Sequence, residues 1–156
     1  MTTAIGEKVS NFTLKDHAGE DVNLAEQLKN GPVVLAFFPM AFTGVCTAEM
    51  CEFRDKLKDF ESLKATVFGI SVDSRFSLAE FAKQQNLNFK LLSDFNKEVA
   101  GSLGVLYEDF LGMKGVSKRA VFVVNTDSTV SYKWVTDNAG ESPDLSAVHG
   151  AVSKLG

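Results

Sequence analysis

A chain of 156 residues with 16 Lys and Arg against 20 Asp and Glu carries a formal charge of −4, and 45% apolar with 23% charged residues is an ordinary globular composition. A chain this long buries roughly 70% of the surface it exposes when unfolded, so one domain over residues 1–156 is expected, without disulfide or metal staples. The mild acidity, with no run of Lys or Arg, argues against a nucleic-acid or anionic-membrane binder, and the longest apolar stretch, Val33 to Phe38, is far short of the ~20 residues of a membrane helix.

Met1 to Lys15 is polar and lacks the basic and apolar regions of a secretory signal, so a cytoplasmic location is expected. Phe12 and Leu14 alternate with polar residues, Asp16-His17-Ala18-Gly19 supplies a turn, and Val22 and Leu24 resume the alternation, which predicts an N-terminal β-hairpin. Asn23 followed by Glu26 caps a short helical turn. After Gly31-Pro32, the run Val33 to Phe38 is apolar on both faces, as a strand in the centre of a covered sheet is, and Pro39 ends it. Thr66 to Ser71 is a second such run. Between them Cys46, Met50, Phe53, Leu57 and Phe60 fall at steps of 4, 3, 4 and 3, one stripe of a helix. Strand, helix and strand make a βαβ unit with parallel strands and a right-handed crossover.

Ser77-Leu78-Ala79-Glu80 reads as a capping box opening a helix to about Asn86, followed by a short strand from Phe89 to Leu92 and a helix from Phe95 to Leu103 stopped by Gly104. Leu106 to Ser117 is irregular. Two strands, Ala120 to Val124 and Val130 to Val135, flank the hairpin residues Asn125-Thr126-Asp127-Ser128, and a last helix runs from about Asp144 to Leu155. The pattern is an α/β sandwich with a mixed sheet of roughly five to seven strands.

The two cysteines, Cys46 and Cys51, are too few for a secreted disulfide scaffold; in a reducing compartment such a pair means catalysis, sensing or plain packing. Cys46 falls just after the first βα junction, where open α/β sheets place ligands, and in the first turn of a helix, where free amides and the helix dipole favour a thiolate. It also lies on the apolar stripe, where a cysteine is simply a small buried hydrophobe. Thr43 is placed to cap the helix through its side-chain oxygen or to accept a proton from a bound peroxide, and Pro39 to end the strand or to shield a thiolate from water. Of the three arginines, Arg54 points away from Cys46. Arg75 and Arg119 remain rivals for the cation beside the thiol, Arg119 reaching it if its strand is antiparallel to Val33 to Phe38.

Pro39, Thr43 and Cys46 in the order P-x-x-x-T-x-x-C, with Arg119 opening Arg119-Ala120-Val121-Phe122-Val123-Val124, resemble the peroxiredoxins, thiol peroxidases of thioredoxin fold, over nearly the whole chain. The resemblance implies a thioredoxin-like three-layer α/β sandwich and a peroxidase that uses no metal, flavin, haem or nucleotide. It makes Cys46 the peroxidatic cysteine, Arg119 the thiolate-stabilising arginine, Thr43 the peroxide-orienting hydroxyl and Pro39 the shield. Glu49 resembles the acid that holds the arginine, or is an acid suited to a helix's first turn. Cys46 to Asp55 is similar to the bacterioferritin-comigratory, or Q-type, members, whose resolving cysteine lies five residues after the peroxidatic one. That implies a Cys46–Cys51 disulfide reduced by a thioredoxin-like donor. Phe38 to Val45 is more similar to the one-cysteine E-type members. Five helical residues hold Cα atoms roughly 8.7 Å apart and about 140° around the axis, whereas a disulfide needs about 7 Å, so pairing requires the helix to unwind.

Other chemistries are weaker. A zinc site would need His17 and His149 with both cysteines, a Cys–His hydrolase would pair Cys46 with His149, and a dithiol oxidoreductase has C-x-x-C where this chain has C-x4-C. A non-catalytic module of the same fold is the remaining class. Thirteen Phe are compatible with a homodimer's apolar surface or with the core alone.

Overall fold

The computed structural model describes residues 2–155, so the expected domain boundaries at residues 1 and 156 fall outside the described residues. β1 (Thr13–Asp16) and β2 (Asp21–Asn23) form the N-terminal hairpin, with Leu14 opposite Val22. Leu24 does not extend it; it opens the one-turn helix α1 (Leu24–Leu28), because the Asn23 side chain accepts the Glu26 amide and caps the chain there. β3 (Val33–Phe37) is an inner strand of a seven-stranded mixed sheet in the order β2-β1-β5-β4-β3-β6-β7. It pairs in parallel with β4 (Thr66–Ser71) and antiparallel with β6 (Arg119–Val124), whose other edge carries β7 (Val130–Thr136). β5 (Lys90–Ser93) lies parallel to β4 and joins the hairpin to the sheet.

Strand geometry divides the apolar run between two cores. Val34, Ala36 and Phe38 face one layer, made by α2 (Gly44–Asp55), α3 (Leu57–Glu61), α4 (Arg75–Gln84) and α6 (Leu145–Ser153). Val33, Leu35 and Phe37 face the other, where α1 and α5 (Glu98–Leu103) pack. Each large apolar side chain so buried contributes about 1.5–3 kcal/mol. Gly69 in β4 sets how closely α2 approaches: a Cβ there would stand 2.9 Å from Met50 Sδ and 2.6 Å from Leu91 Cδ2.

Three local expectations change. The stripe from Cys46 to Phe60 is buried throughout, but on two helices, since the ladder breaks at Lys56 (φ −105°, ψ 9°). A heptad-like stripe drifts around a straight helix, and one turn residue returns Leu57 and Phe60 to the sheet. The cap of α4 is Ser74, which accepts the Ser77 amide, so Ser77 is the third helical residue and not the cap. The helix ends at Gln84, because Asn86 is left-handed (φ 52°). α5 begins at Glu98 and not Phe95, because left-handed Lys97 (φ 65°) turns the chain and the Asp94 carboxylate accepts the amides of Val99 and Ala100.

Candidate active site

The carboxyl end of β3 leads through Phe38 and Pro39 into a loop fixed at two points. The Ala41 amide donates to Asp73 Oδ2 (2.8 Å), which also accepts from Ser71 Oγ at the end of β4 (2.6 Å). Phe42 takes a left-handed backbone (φ 70°), rare for a bulky residue, and its ring packs edge-on against Phe81 at 5.3 Å. The chain then turns into α2, and Cys46 is its third residue, in the first turn and only 1% exposed. Cys46 lies both at a helix start and within the apolar layer.

Thr43 occupies the cap position, but its side chain accepts no amide, contrary to the capping reading. Its hydroxyl donates instead to Met40 O (2.9 Å), which turns the lone pairs of Oγ1 free of the helix end.

Between the two arginines the geometry is decisive. The pairing of Phe37 with Ala120 sets Arg119 at the Cys46 end of the sheet, where Nη2 donates to Cys46 Sγ at 3.2 Å. Arg75 begins α4, and its guanidinium lies 4.2 Å over the Phe76 ring. Arg119 is 1% exposed, and all three of its guanidinium nitrogens donate. Nη1 donates to Glu49 Oε1 (2.6 Å), while Nη2 and Nε donate to the carbonyl of Ala139 (2.8 and 3.2 Å). Glu49 lies in the second turn of α2, so the first-turn reading is corrected: the acid is buried beneath the arginine and does not serve the helix dipole.

One guanidinium thus serves two acidic groups. Burial opposes the charge of Arg119, but Cys46 and Glu49 more than offset it, and its pKa is raised. Glu49 is compensated less completely. Burial pushes its carboxyl up to about 7 against the pull of Arg119, with Glu52 adding to the rise, and Oε2 has no hydrogen-bond partner among the described residues. A carboxyl raised from 4.5 to about 7 binds its proton more tightly when folded. Its contribution is complete below pH 4.5 and is lost as the pH rises through 7. The amplitude is on the order of 3 kcal/mol. Glu49→Gln, which keeps an acceptor for Nη1, is therefore expected to flatten the stability profile across that window in chemical denaturation; parallel profiles for variant and wild type would refute it.

A cavity of about 320 Å³ opens onto Cys46 and Arg119. Pro39, Met40 and Thr43 line one side, and Ala139 and Gly140 another. The third wall, Phe110, Leu111 and Met113, belongs to the irregular stretch, pinned by paired bonds between Phe110 and Met113 and standing on Tyr107 through ring stacking at 5.0 Å. Leu111 is 85% exposed. Sequence reasoning missed this wall and the Ala139 carbonyl. Apolar residues in a segment without periodicity were the available signal for the wall; a backbone acceptor leaves none.

Cys51 is half-buried on another face of α2, and both cysteines are free thiols. Its Sγ donates to Gln85 Oε1 (3.5 Å), while Arg54 pairs with Asp55 and donates to Gln85 O (2.6 Å). His17 Nδ1 accepts the Leu91 amide on β5 and His149 packs edge-on against Phe60, which places both imidazoles in structural contacts.

The profile of the AhpC/TSA family matches residues 5–133. A putative peroxiredoxin of Mycobacterium tuberculosis is 41% identical over 125 residues, covering 80% of each chain. A chloroplastic peroxiredoxin Q of Oryza sativa is 38% identical over 127 residues, 81% of this chain and 57% of that one. The crystal structure of peroxidoxin BcpB from Mycobacterium tuberculosis superposes with a TM-score of 0.85 over 98% of this chain and 96% of its own, at 37% identity. Peroxiredoxin 6 of Arenicola marina superposes at 0.89 over 97% of this chain and 73% of its own, a likeness of fold at 21% identity. The three-layer sandwich is the thioredoxin fold of these proteins.

Proposed function

Because this chain belongs to the AhpC/TSA family and is a peroxiredoxin, a thiol-dependent peroxidase, we propose that it reduces hydrogen peroxide and organic hydroperoxides at Cys46. The observation that carries the assignment is the 3.2 Å contact from Arg119 Nη2 to Cys46 Sγ at a helix start, facing a cavity. A charge-assisted donor there favours the thiolate, which is the nucleophile.

A hydroperoxide in the cavity donates its O–H to Thr43 Oγ1, whose own proton is committed to Met40. The sulfur attacks the nearer oxygen along the O–O axis; the S–O bond forms as the O–O bond breaks. Arg119 and the first-turn amides of α2 stabilise the charge shared by the two oxygens, an electrostatic role of the oxyanion-hole kind. Sulfur is oxidised to a sulfenic acid, and the departing oxygen takes up a proton and leaves as water or alcohol. Pro39, which has no N–H, keeps water from the sulfur. Glu49 holds Arg119 in place.

Cys51 resolves the sulfenic acid. Its thiolate attacks Cys46 sulfur, the S–O bond breaks, the disulfide forms and water leaves; a thioredoxin-like dithiol then reduces the disulfide. The cycle suits a reducing compartment such as the cytoplasm, and a single domain over residues 1–156 carries it. Exposed Phe42 and Leu111 at the rim suit coverage by a second copy.

After one equivalent of peroxide, intact-mass spectrometry is expected to find an intramolecular disulfide in the wild type and a persistent or over-oxidised sulfenic acid in Cys51→Ser, with its first turnover unimpaired. Wild type that accumulated sulfenic acid and no disulfide would make this a one-cysteine peroxidase resolved by an external thiol.

A further inference from the structure

The third turn of α2 is tied to the end of α4 by contacts that the peroxide step does not use. Cys51 Sγ donates to Gln85 Oε1, Arg54 Nη1 donates to Gln85 O (2.6 Å), and Asn88 Nδ2 donates to Arg54 O (3.3 Å). Gln85 is half-buried at the C-cap of α4, and the left-handed Asn86 after it turns the chain back toward α2. We propose that Gln85 is a positioning residue that brakes the resolving step by engaging the Cys51 thiol in a hydrogen bond that holds it at the end of α4.

This rests on the reading that Cys51 resolves. The hydrogen bond is made by the thiol proton, and the group that attacks the sulfenic acid is the thiolate. The bond therefore exists before the step and is gone in its transition state, where the proton of Cys51 has been released and the hydroxyl of the sulfenic acid is leaving, the two together amounting to one water. An interaction present only in the ground state slows the step that breaks it. The contact also fixes the direction of Sγ, toward Gln85 at the end of α4. Slower resolution lengthens the life of the sulfenic acid, which a second peroxide converts to sulfinic acid. Gln85 thus sets how much oxidant the protein survives before Cys46 is lost to turnover.

Two substitutions at this half-buried position are expected to act in opposite directions. Gln85→Leu removes the acceptor at similar volume, and disulfide formation after one equivalent of hydrogen peroxide should accelerate about two- to fivefold. Gln85→Glu supplies a charged acceptor that also pairs with Arg54, and the step should slow by a similar factor, with more sulfinic acid under excess peroxide. Peroxide consumption in the first turnover should be unchanged in both, since neither touches Cys46, Thr43 or Arg119. Rapid quench with a thiol-blocking reagent and intact mass gives all three quantities. Disulfide rates equal in wild type and both variants, or shifted in the same direction by both, would overturn the brake. Absence of the disulfide in every protein, wild type included, would instead overturn the resolving role of Cys51.

Discussion

Cys46→Ser is expected to abolish peroxide turnover, with a rate constant for hydrogen peroxide lower by about 10⁴-fold or more. A serine hydroxyl is a far weaker nucleophile than a cysteine sulfur, and oxygen has no counterpart to the sulfenic acid product. Serine also fits the site. Cys46 is 1% exposed, and the smaller side chain retains an acceptor for Arg119 Nη2, so the fold is expected to survive with a near wild-type melting temperature. Peroxide loss followed with an electrode under single-turnover conditions measures the effect. Near wild-type consumption by Cys46→Ser would place the chemistry elsewhere, and Cys51→Ser, on a different face of α2, supplies the matched comparison.

Arg119→Ala is expected to lower the second-order rate constant for peroxide by about 10²–10³-fold, the usual effect of losing a donor aimed at developing charge. The same change strands Glu49, and breaking a buried ion pair from one side destabilises a protein by roughly 3–5 kcal/mol. Arg119→Ala combined with Glu49→Gln removes the stranded charge and keeps the kinetic measurement available if the single variant fails to fold. The rate at which a thiol-blocking reagent alkylates Cys46 is expected to fall in the same variants. Arg75→Ala should leave both quantities unchanged, because Arg75 begins α4 and lies on Phe76. A loss confined to Arg75→Ala would refute the assignment.

The place of Cys46 was more legible in the sequence than its support. A strand apolar on both faces, ended by Pro39 and followed by a helix beginning near Cys46, announces itself through period and turn chemistry, whereas Arg75 and Arg119 stayed rivals until the antiparallel pairing of β6 with β3 chose between them. The Ala139 carbonyl, which receives two of the arginine's donors, could not be read, because every residue carries a carbonyl and only the path of the loop after β7 aims this one. Glu49 was legible as an acid near Cys46, but its turn of α2 and its burial were not. The Ser74 cap was missed for a related reason: Ser77 followed by Glu80 satisfied the same pattern, and only the backbone at Ser74, extended at ψ 155°, decides between them. The contact of Cys51 with Gln85 joins residues 34 apart in sequence through the meeting of two helix ends, and no local pattern encodes that meeting.

Cys46 and Arg119 are 73 residues apart in sequence and meet only because β6 pairs with β3. During synthesis the thiol leaves the ribosome well before its cation exists; at roughly 5–20 residues per second the interval is on the order of 4–15 s. Throughout that interval Cys46 is an ordinary cysteine, without the guanidinium or the completed cavity. The nascent chain thereby carries the thiol without the charge-assisted donor that faces it in the finished protein. A product truncated before β6 keeps its thiol but lacks the guanidinium that contacts it.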